Sequence, residues 1–307
     1  MEVTFLGTGA GMPSKLRNVS SIALDLRAIN RSIWLFDCGE GTQHQILKTT
    51  IKPGRIEKIF ITHLHGDHIY GLLGLLSSRS FQDGHSPVEI YGPAGLQTFI
   101  ETSFKISHTH LQYPLDFFTV NDNDVYIFDG LKVRVKKLTH GIDSFGYQVI
   151  ENDQLGELQV DKLKSRGISP GPMYQTIKSQ HVTTLENGET VKREDVIGPD
   201  KPGRIVTILG DTKQPTQFVD FVKNSDLLIA EATFASDLPS LAEQFFHSTI
   251  TETTQLARLA NVKQLCLTHI SQRYTAKDQL DLEQEAKAQF TNTQIAIDLL
   301  TLNVVKP

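Results

Sequence analysis

The chain has 307 residues, of which 39% are hydrophobic and 21% charged, and its formal net charge is −5. This composition is typical of a globular protein with one large or two small domains, and the charge does not indicate a general nucleic-acid binder. No apolar run reaches the ~18 residues of a membrane-spanning helix, and the N-terminal residues predict a first strand rather than a signal peptide.

Strands and helices are predicted to alternate along the chain. The predicted strands are Val3–Leu6, Ser21–Leu26, Ile33–Phe36, Lys58–Ile61, Val88–Tyr91, Leu131–Leu138, Phe145–Ile150, Arg204–Leu209, Asp226–Ile229 and Gln264–Thr268. The predicted helices are Thr42–Thr49, Ile69–Arg79, Pro93–Phe104, Thr216–Lys223, Leu238–Phe246, Thr251–Leu259 and Lys277–Phe290. Pro93 suits a first helical turn, and Ser248 before Thr251 suggests a capped helix start. The alternation predicts an α/β fold of layers with mixed sheets.

One segment, residues 151–203, departs from this alternation. It is rich in Gly, Pro and polar residues and carries only weak strand signals. Long irregular segments inside compact domains are usually functional insertions. We therefore predict an inserted, protruding arm within an otherwise single domain that spans residues 1–307.

The two cysteines, Cys38 and Cys266, lie far apart, and each falls in an apolar, strand-like stretch. They do not form a CxxC motif, so we interpret both as buried free thiols rather than as a disulfide or metal ligands. Free thiols indicate a reducing compartment, and the cytoplasm is therefore the expected location.

The segment THLHGDH at residues 62–68 places three imidazoles and a carboxylate at the end of a predicted strand. Neutral imidazole and carboxylate are the ligands that zinc and similar metals prefer. His63 and His65 alternate along the strand end and would share one face, where they would hold one ion. Asp67 and His68 follow the turn and would face a second ion.

Three later strands each end in a further side chain that can bind a metal, namely His140, Asp211 and His269. In α/β sheets, ligands bind at the carboxyl edge of the strands. In the simplest assembly Asp211 bridges two ions. The first ion would then be held by His63, His65 and His140, and the second by Asp67, His68 and His269.

This set of residues resembles the metallo-β-lactamase superfamily. The HxHxDH pattern of the superfamily corresponds to residues 63–68, and the later His, Asp and His follow in its order. Asp37-Cys38-Gly39 resembles its Asp-x-Gly turn, which implies that Asp37 orients a ligand histidine. The resemblance extends from Phe5 to His269. It implies a four-layer αββα sandwich with the metals at one edge, between two sheets.

Further segments resemble the ribonuclease Z family, whose members trim the 3′ end of precursor tRNA. Residues 13–18 resemble its PxKxRN loop, residues 231–233 and 247–249 its HEAT and HST loops, and residues 268–274 its last metal motif. Ala230 departs from the family, because it stands where the HEAT motif has His. The resemblance implies substrate contacts from Lys15, Arg17, Asn18, Arg273, Gly171 and Pro172.

The resemblance implies a zinc-dependent endoribonuclease that leaves a 3′-hydroxyl on the tRNA and a 5′-phosphate on the trailer. Two Zn²⁺ per subunit are expected, and Mn²⁺ or Fe²⁺ would suit the same ligands. In the implied reaction a metal-activated hydroxide attacks in line and Asp67 accepts its proton. His247, oriented by Glu231, would protonate the leaving oxygen. Neither an organic cofactor nor a membrane is expected.

The arm also carries an RNA-binding signal. Residues 162–185 contain four basic residues and no acidic one. Alone, this pattern is equally typical of a solvated loop, but the resemblance implies an RNA-binding arm with contacts from Lys162, Lys164 and Arg166. The resemblance also implies a homodimer. The apolar segment Ile69–Arg79 with Phe81 suits either the dimer interface or the core.

Two alternatives stay open. The first is a metallo-hydrolase of the same fold that acts on a small phosphodiester, thioester or lactone, although such a substrate needs no basic arm. The second is a non-catalytic RNA-binding member of the family. We would expect such a member to have lost metal ligands, and here all seven are present.

Overall fold

The computed structural model describes residues 1–82, 84–185 and 187–306. These residues form two compact units, one of residues 1–150 with 205–305, and one of residues 151–204 with Lys306. The predicted arm, residues 151–203, falls within the second unit.

The strands and helices are as follows. In chain order the strands are β1 (Glu2–Gly7), β2 (Gly9–Ala10), β3 (Ser21–Asp25), β4 (Ile33–Phe36), β5 (Ile56–Phe60), β6 (Val88–Gly92), β7 (Leu115–Thr119), β8 (Val125–Phe128), β9 (Leu131–Lys137), β10 (Phe145–Glu151), β11 (Val182–Thr184), β12 (Thr190–Lys192), β13 (Ile205–Leu209), β14 (Leu227–Glu231), β15 (Leu265–Thr268), β16 (Ile270–Ser271), β17 (Thr293–Ile295) and β18 (Thr301–Asn303). The helices are α1 (Thr42–Ile46), α2 (Gly66–Ile69), α3 (Leu72–Arg79), α4 (Leu96–Ile106), α5 (Val160–Ser165), α6 (Pro172–Ser179), α7 (Arg193–Val196), α8 (Val219–Val222), α9 (Pro239–Gln244), α10 (Ile250–Leu259) and α11 (Gln279–Gln289).

The first unit contains two seven-stranded mixed sheets within the described residues. One has the order β18-β1-β3-β4-β5-β6-β7 and the other β17-β15-β14-β13-β10-β9-β8. In the first sheet β1, β3 and β4 are antiparallel, whereas β4 to β7 run parallel. In the second, β13, β14, β15 and β17 run parallel. The prediction of mixed sheets is therefore confirmed.

Three apolar clusters arrange the first unit in four layers. The inner cluster joins the facing sides of both sheets, as in Phe36 and Phe60 against Tyr147 and Ile208. A second cluster packs α10 and α11 on the outer side of the second sheet. A third packs α1, α3 and α4 on the outer side of the first. Helices, sheet, sheet and helices make the αββα sandwich that the motifs implied, and burial of its apolar surface stabilises it.

Several predicted helix boundaries were wrong for local physical reasons. The predicted helix Ile69–Arg79 divides at Gly71, where a Cβ would lie only 2.1 Å from the Gly39 oxygen. Pro93 does not start a helix, because α4 begins at Leu96 after a left-handed Gly95. The predicted cap at Ser248 is replaced by a capping box, in which Thr249 and Glu252 bond each other's backbone N–H groups.

The second unit is more regular than predicted. It contains the helices α5, α6 and α7 and the hairpin β11–β12. Its own apolar core is formed by Leu163, Ile168, Ile177, Val191 and Val196. These segments are short and their apolar residues few, so the sequence signal for them is weak.

Two expectations from composition can also be compared with the fold. Cys38 and Cys266 are both buried free thiols, as predicted. Burial raises the pKa of Cys38 to about 12, so its thiol stays protonated. Among the described residues, no helix is both long and apolar enough to cross a membrane.

Candidate metal centre and proton-transfer site

All seven predicted metal ligands of the first unit lie just after a strand or at the start of α2. His63 follows β5, and His140, Asp211 and His269 follow β9, β13 and β15. His65 immediately precedes α2, and Asp67 and His68 lie within it. The loops at the carboxyl edges of both sheets therefore supply the polar groups of one site.

Three imidazoles form the first cluster. The Nδ1 atom of His65 lies 3.1 Å from Nε2 of His63 and 3.2 Å from Nε2 of His140. The rings of His63 and His140 are nearly perpendicular, with centroids 5.1 Å apart. Three ring nitrogens of the predicted first ligand set thus converge on one point.

Asp67, His68 and His269 form the second cluster. The Nε2 atom of His269 lies 3.2 Å from Oδ2 of Asp67 and 3.3 Å from Nε2 of His68. Oδ2 of Asp67 also accepts a hydrogen bond from the backbone N–H of Gly11, at 2.7 Å. This partner was not anticipated from the sequence, because Gly11 lies 56 residues before Asp67.

Asp211 lies between the two clusters. Its Oδ2 atom is 3.5 Å from Nε2 of His63, 3.6 Å from Nε2 of His68 and 3.4 Å from Nε2 of His269. One carboxylate oxygen therefore faces both clusters. This geometry suits the bridging position that the sequence predicted for it.

Hydrogen bonds around the clusters aim the histidine lone pairs at the site. Asp37 accepts hydrogen bonds from Nδ1 of His68 at 2.8 Å and from the Thr62 hydroxyl at 2.9 Å. Because Thr62 donates to Asp37, its oxygen accepts from Nδ1 of His63, at 3.0 Å. Because Nδ1 is engaged in both rings, the Nε2 atoms face the clusters.

The second sheet repeats this arrangement. The hydroxyl of Thr233 donates to Oε2 of Glu231 and contacts Nδ1 of His269 at 3.0 Å. His140 Nδ1 donates to the Phe246 carbonyl at 2.9 Å. Sequence reasoning anticipated Asp37 but missed Thr62, Thr233 and this carbonyl. The only sequence signal for the two threonines was their position close to a strand end, and the carbonyl had none.

The charges in the site also suit a cation. Burial lowers the pKa of His63, which keeps its imidazole neutral. Burial alone would raise the pKa of Asp211, but His269, His68 and His63 hold it well below its ordinary value. The pKa of Asp67 is lowered by hydrogen bonds from His269 and His68 that outweigh its burial. Neutral imidazoles and ionised carboxylates are the forms that bind metals.

These observations together fit the binding of divalent metal ions. Each cluster brings nitrogen and carboxylate donors within 4.8 Å of one another. The converging ring nitrogens lie 3.1–3.3 Å apart, and a cation between them would be a partner for all of them. The donor set is that of zinc, and it also suits manganese or iron.

A hydrogen-bonded His–Glu pair lies next to the clusters. Nδ1 of His247 is 3.0 Å from Oε1 of Glu231, and Glu231 also accepts from the backbone N–H groups of Thr212 and Ser248. Burial would lower the pKa of His247, but the charge and hydrogen bond of Glu231 raise it to about 9. The contact with Glu231 therefore favours the imidazolium form of His247.

Ala230, which departs from the HEAT motif, lies away from this pair. Its side chain is buried in the outer apolar cluster with Leu228 and Leu267, whereas the carboxylate of Glu231 bonds His247. Successive strand residues face opposite sides of a sheet. The position of Ala230 is thus a core position, and its substitution does not disturb the Glu231–His247 pair.

The loop at residues 13–18 corrects one prediction. Lys15 is exposed, but Arg17 is only 8% exposed, and its guanidinium donates to Thr8, Ala296 and Gln279. Burial lowers its pKa. In this geometry Arg17 braces the loop and does not present its side chain to a substrate.

Asn18 is likewise engaged within the protein. Its side-chain amide donates to the Glu40 carbonyl, and its backbone N–H donates to Asp298. Its predicted contact with substrate is therefore not supported by this geometry. Arg273, by contrast, is exposed, and its guanidinium carbon lies 5.0 Å from the Phe234 ring centroid.

In the second unit the predicted RNA-binding residues lie on the surface or close to it. Lys162 and Lys164 are exposed, although Lys162 donates to the Asp195 carbonyl. Arg166 lies 3.6 Å from the Asp195 carboxylate, so α7 partly offsets the positive charge of α5. Gly171 and Pro172 are exposed at the start of α6.

This chain is similar to known proteins over part or nearly all of its length. A family model described as anti-Pycsar protein Apyc1 matches residues 1–156, a region that includes five of the seven predicted ligands. The ribonuclease Z of Oceanobacillus iheyensis is 51% identical over 300 residues, which cover 97% of this chain and 98% of that protein. The ribonuclease Z of Bacillus velezensis is 50% identical over 305 residues, covering 99% of each chain.

Solved structures give the same result. The short form of human tRNase Z matches with a TM-score of 0.71 and 31% identity, over 99% of this chain and 100% of that chain. The metallo-β-lactamase fold protein YhfI of Bacillus subtilis matches with a TM-score of 0.68 and 18% identity, over 98% of each chain. The second likeness concerns the fold alone.

Proposed function

Because this chain belongs to the ribonuclease Z family, we propose that it removes the 3′ trailer of precursor tRNA through the site formed by its two His/Asp clusters. The chain is a metal-dependent hydrolase with a metallo-β-lactamase fold. The observation that carries the proposal is the position of Asp211, which faces both clusters beside the His247–Glu231 pair. The proposed products are a tRNA with a 3′-hydroxyl and a trailer with a 5′-phosphate.

The metal ligands in this proposal are the seven residues of the two clusters. One ion would be held by His63, His65 and His140, the other by Asp67, His68 and His269, and Asp211 would serve both. Two zinc ions per subunit, or manganese or iron in their place, would supply an activated water and neutralise charge on the phosphate oxygens.

Asp67 is the proposed acceptor of the proton that the attacking water loses. Its lowered pKa keeps it ionised. The hydrogen bond from Gly11 holds the Oδ2 atom, and His269 contacts the same atom. A carboxylate fixed in this way can take a proton without moving.

His247 is the proposed general acid for the leaving 3′ oxygen. Its Nδ1 is committed to Glu231, so its Nε2 is left to face the substrate. The pKa of about 9 means that a proton is available at neutral pH. Glu231 is itself fixed by Thr212 and Ser248, and it sets the orientation of the ring.

Recognition of the RNA is assigned to exposed basic groups of both units. Lys15 and Arg273 of the first unit would contact the RNA close to the cleavage point. Lys162, Lys164, Arg166 and the Gly171-Pro172 turn would form a separate tRNA-binding surface on the arm. Basic groups on exposed helices suit a phosphate backbone, whose recognition needs charge more than fixed geometry.

We also propose that the protein is a cytoplasmic homodimer. Tyr70 and Phe81 support this, because they are 63% and 82% exposed beside α3, whose Leu72, Leu75 and Leu76 belong to the core. Phe81→Glu should shift the molar mass measured by light scattering from dimer to monomer. A Phe81→Glu chain that stays dimeric would refute this choice of interface. The buried free thiols support a reducing compartment.

The proposed activity is tested by mapping the ends of the products from a precursor tRNA with a 3′ trailer. The zinc-loaded protein should cut at or near the discriminator nucleotide and leave a 3′-hydroxyl. His65→Ala should abolish the cut, whereas His44→Ala, which changes an exposed histidine of α1, should not. Cleavage of a small phosphodiester with no cleavage of the precursor would instead favour a small-substrate hydrolase.

A further inference from the structure

The C-terminal end of α9 has an unusual residue in a turn that normally needs glycine. The N–H of His247 donates to the Ala242 carbonyl at 2.9 Å, and the N–H of Phe246 donates to the Glu243 carbonyl at 3.3 Å. These two bonds define a Schellman motif, with the residue before the last donor in the left-handed region. That residue is Phe246, with φ 59°. A side chain in this conformation is strained.

The same turn contacts His140 and leads directly into His247. The carbonyl of Phe246 accepts the hydrogen bond from Nδ1 of His140 at 2.9 Å. His140 in turn directs Nε2 to Nδ1 of His65 at 3.2 Å. The next residue along the chain is His247. The left-handed conformation of Phe246 therefore aims its carbonyl at a metal ligand and its neighbour at Glu231.

The ring of Phe246 has a contact that a glycine could not make. Nζ of Lys213 lies 4.6 Å from the ring centroid and also pairs with the carboxylate of Glu243 on α9. Lys213 stands two residues after Asp211, and its backbone N–H donates to the Thr139 carbonyl, one residue before His140. The ring thus connects the end of α9 to the two strand ends that carry Asp211 and His140.

We propose that Phe246 is a positioning residue, held by Lys213, that fixes His140 in the first metal cluster and His247 beside Glu231. Glycine would relieve the backbone strain but would loosen the link between the turn and the two strand ends, because the ring contact with Lys213 would be lost. The part that concerns His247 rests on the proposed function. The part that concerns His140 predicts metal retention alone.

The test compares Phe246→Gly with the wild-type enzyme. Both proteins are loaded with zinc, and release of zinc to a chromogenic chelator is followed beside kcat and KM on a precursor tRNA. Loss of a group that orients a metal ligand weakens metal affinity or activity by ~10- to 100-fold. Phe246→Gly should therefore release zinc about tenfold faster and lose about tenfold in kcat. Its KM and melting temperature should stay close to wild type.

Three further variants sharpen the test. Phe246→Tyr keeps the ring and should restore slow release, and Phe245→Ala, which removes an exposed neighbouring ring, should leave release and kcat unchanged. Lys213→Met leaves the sequence of the turn unchanged and should speed zinc release, as Phe246→Gly does. It decides the question if Phe246→Gly does not fold.

The contrary outcomes are distinct. Wild-type zinc release from a folded Phe246→Gly protein, or from Lys213→Met if the glycine variant does not fold, would overturn the proposal. So would fast release from Phe246→Tyr. If zinc release behaves as expected but even the wild-type protein cuts no precursor tRNA, the proposed function fails while the positioning of His140 stands.

Discussion

The two compact units carry their functional side chains in opposite ways. In the first unit His63, His68 and Asp211 are 0%, 2% and 3% exposed; hydrogen bonds fix both imidazoles, and the Asp211 carboxylate lies 3.5 Å from Nε2 of His63. In the second unit Lys162 and Lys164 are exposed, and its buried core is apolar. Bond cleavage needs donors held in fixed positions, whereas binding of a phosphate backbone needs charge at the surface.

Because of this difference, the geometry of the first unit indicates its function more strongly than the geometry of the second unit does. The geometry of the first unit indicates metal-dependent hydrolysis, because its clustered His and Asp side chains are arranged as metal ligands. The geometry of the second unit is compatible with RNA binding, but the family relationship carries that assignment. Experiments that measure phosphodiester cleavage separately from RNA binding therefore test whether the two units have different functions.

The largest effect should follow metal removal. A chelator should lower cleavage of both precursor tRNA and bis(p-nitrophenyl) phosphate by about 10³-fold or more, since the activated water is lost. Zinc or manganese should restore both reactions. The stripped protein should still bind tRNA in a gel-shift assay, because the arm needs no metal. A protein that binds RNA but never cuts it after metals are restored would be a non-catalytic family member.

His247→Ala should have the next largest effect, and only on one substrate. Loss of a general acid costs about 10²–10⁴ in kcat on precursor tRNA, where an alkoxide must leave. The p-nitrophenolate group leaves without a proton, so cleavage of bis(p-nitrophenyl) phosphate should change little. Equal losses in kcat on both substrates would contradict the role of His247 as the acid.

Removal of the arm should produce the reverse pattern. Gln154 and Lys201 exchange two backbone hydrogen bonds of 2.8 Å, so residues 155–200 can be replaced by an Asn-Gly turn. Loss of two phosphate contacts of about 1.4 kcal/mol each would lower kcat/KM on precursor tRNA by about 100-fold. Cleavage of bis(p-nitrophenyl) phosphate should remain. An arm-deleted enzyme with full activity on precursor tRNA would show that the arm does not bind the substrate.

The smallest effects separate two neighbours in one loop. Lys15→Ala should raise KM for precursor tRNA by about fivefold, consistent with ~1 kcal/mol for one exposed contact, and leave the stability unchanged. Arg17→Ala should lower the free energy of unfolding by about 3 kcal/mol, because its buried acceptors lose their donor. Denaturant unfolding distinguishes them. Wild-type stability in Arg17→Ala with a raised KM would place the guanidinium on the RNA instead.

Much of the fold and the seven clustered residues could be predicted, because both depend on local patterns. Apolar strands can be recognised from their composition. A polar residue directly after such a strand lies at the carboxyl edge of the sheet. That rule located His140, Asp211 and His269 without any knowledge of tertiary structure. In the HxHxDH segment, the turn between His65 and Asp67 was enough to predict that the residues on its two sides face different metal ions.

The features that escaped prediction depend on distant parts of the chain. Arg17 is buried because Ala296 and Gln279 supply its acceptors, and neither is near it in sequence. The edge strands β17 and β18 are only three residues long and lack a clear periodicity. The conformation of Phe246 depends on α9, and no local signal predicts φ > 0 for a phenylalanine.

In the proposed site two metal ions share Asp211. The most direct test is a count of metal ions per chain by native mass spectrometry, for the wild-type protein and for Asp211→Asn, beside cleavage of precursor tRNA. We expect two ions in the wild-type chain, and the loss of at least one ion and of cleavage in Asp211→Asn. A wild-type chain that cuts precursor tRNA with a single ion, or an Asp211→Asn chain that keeps two ions and full activity, would contradict the account.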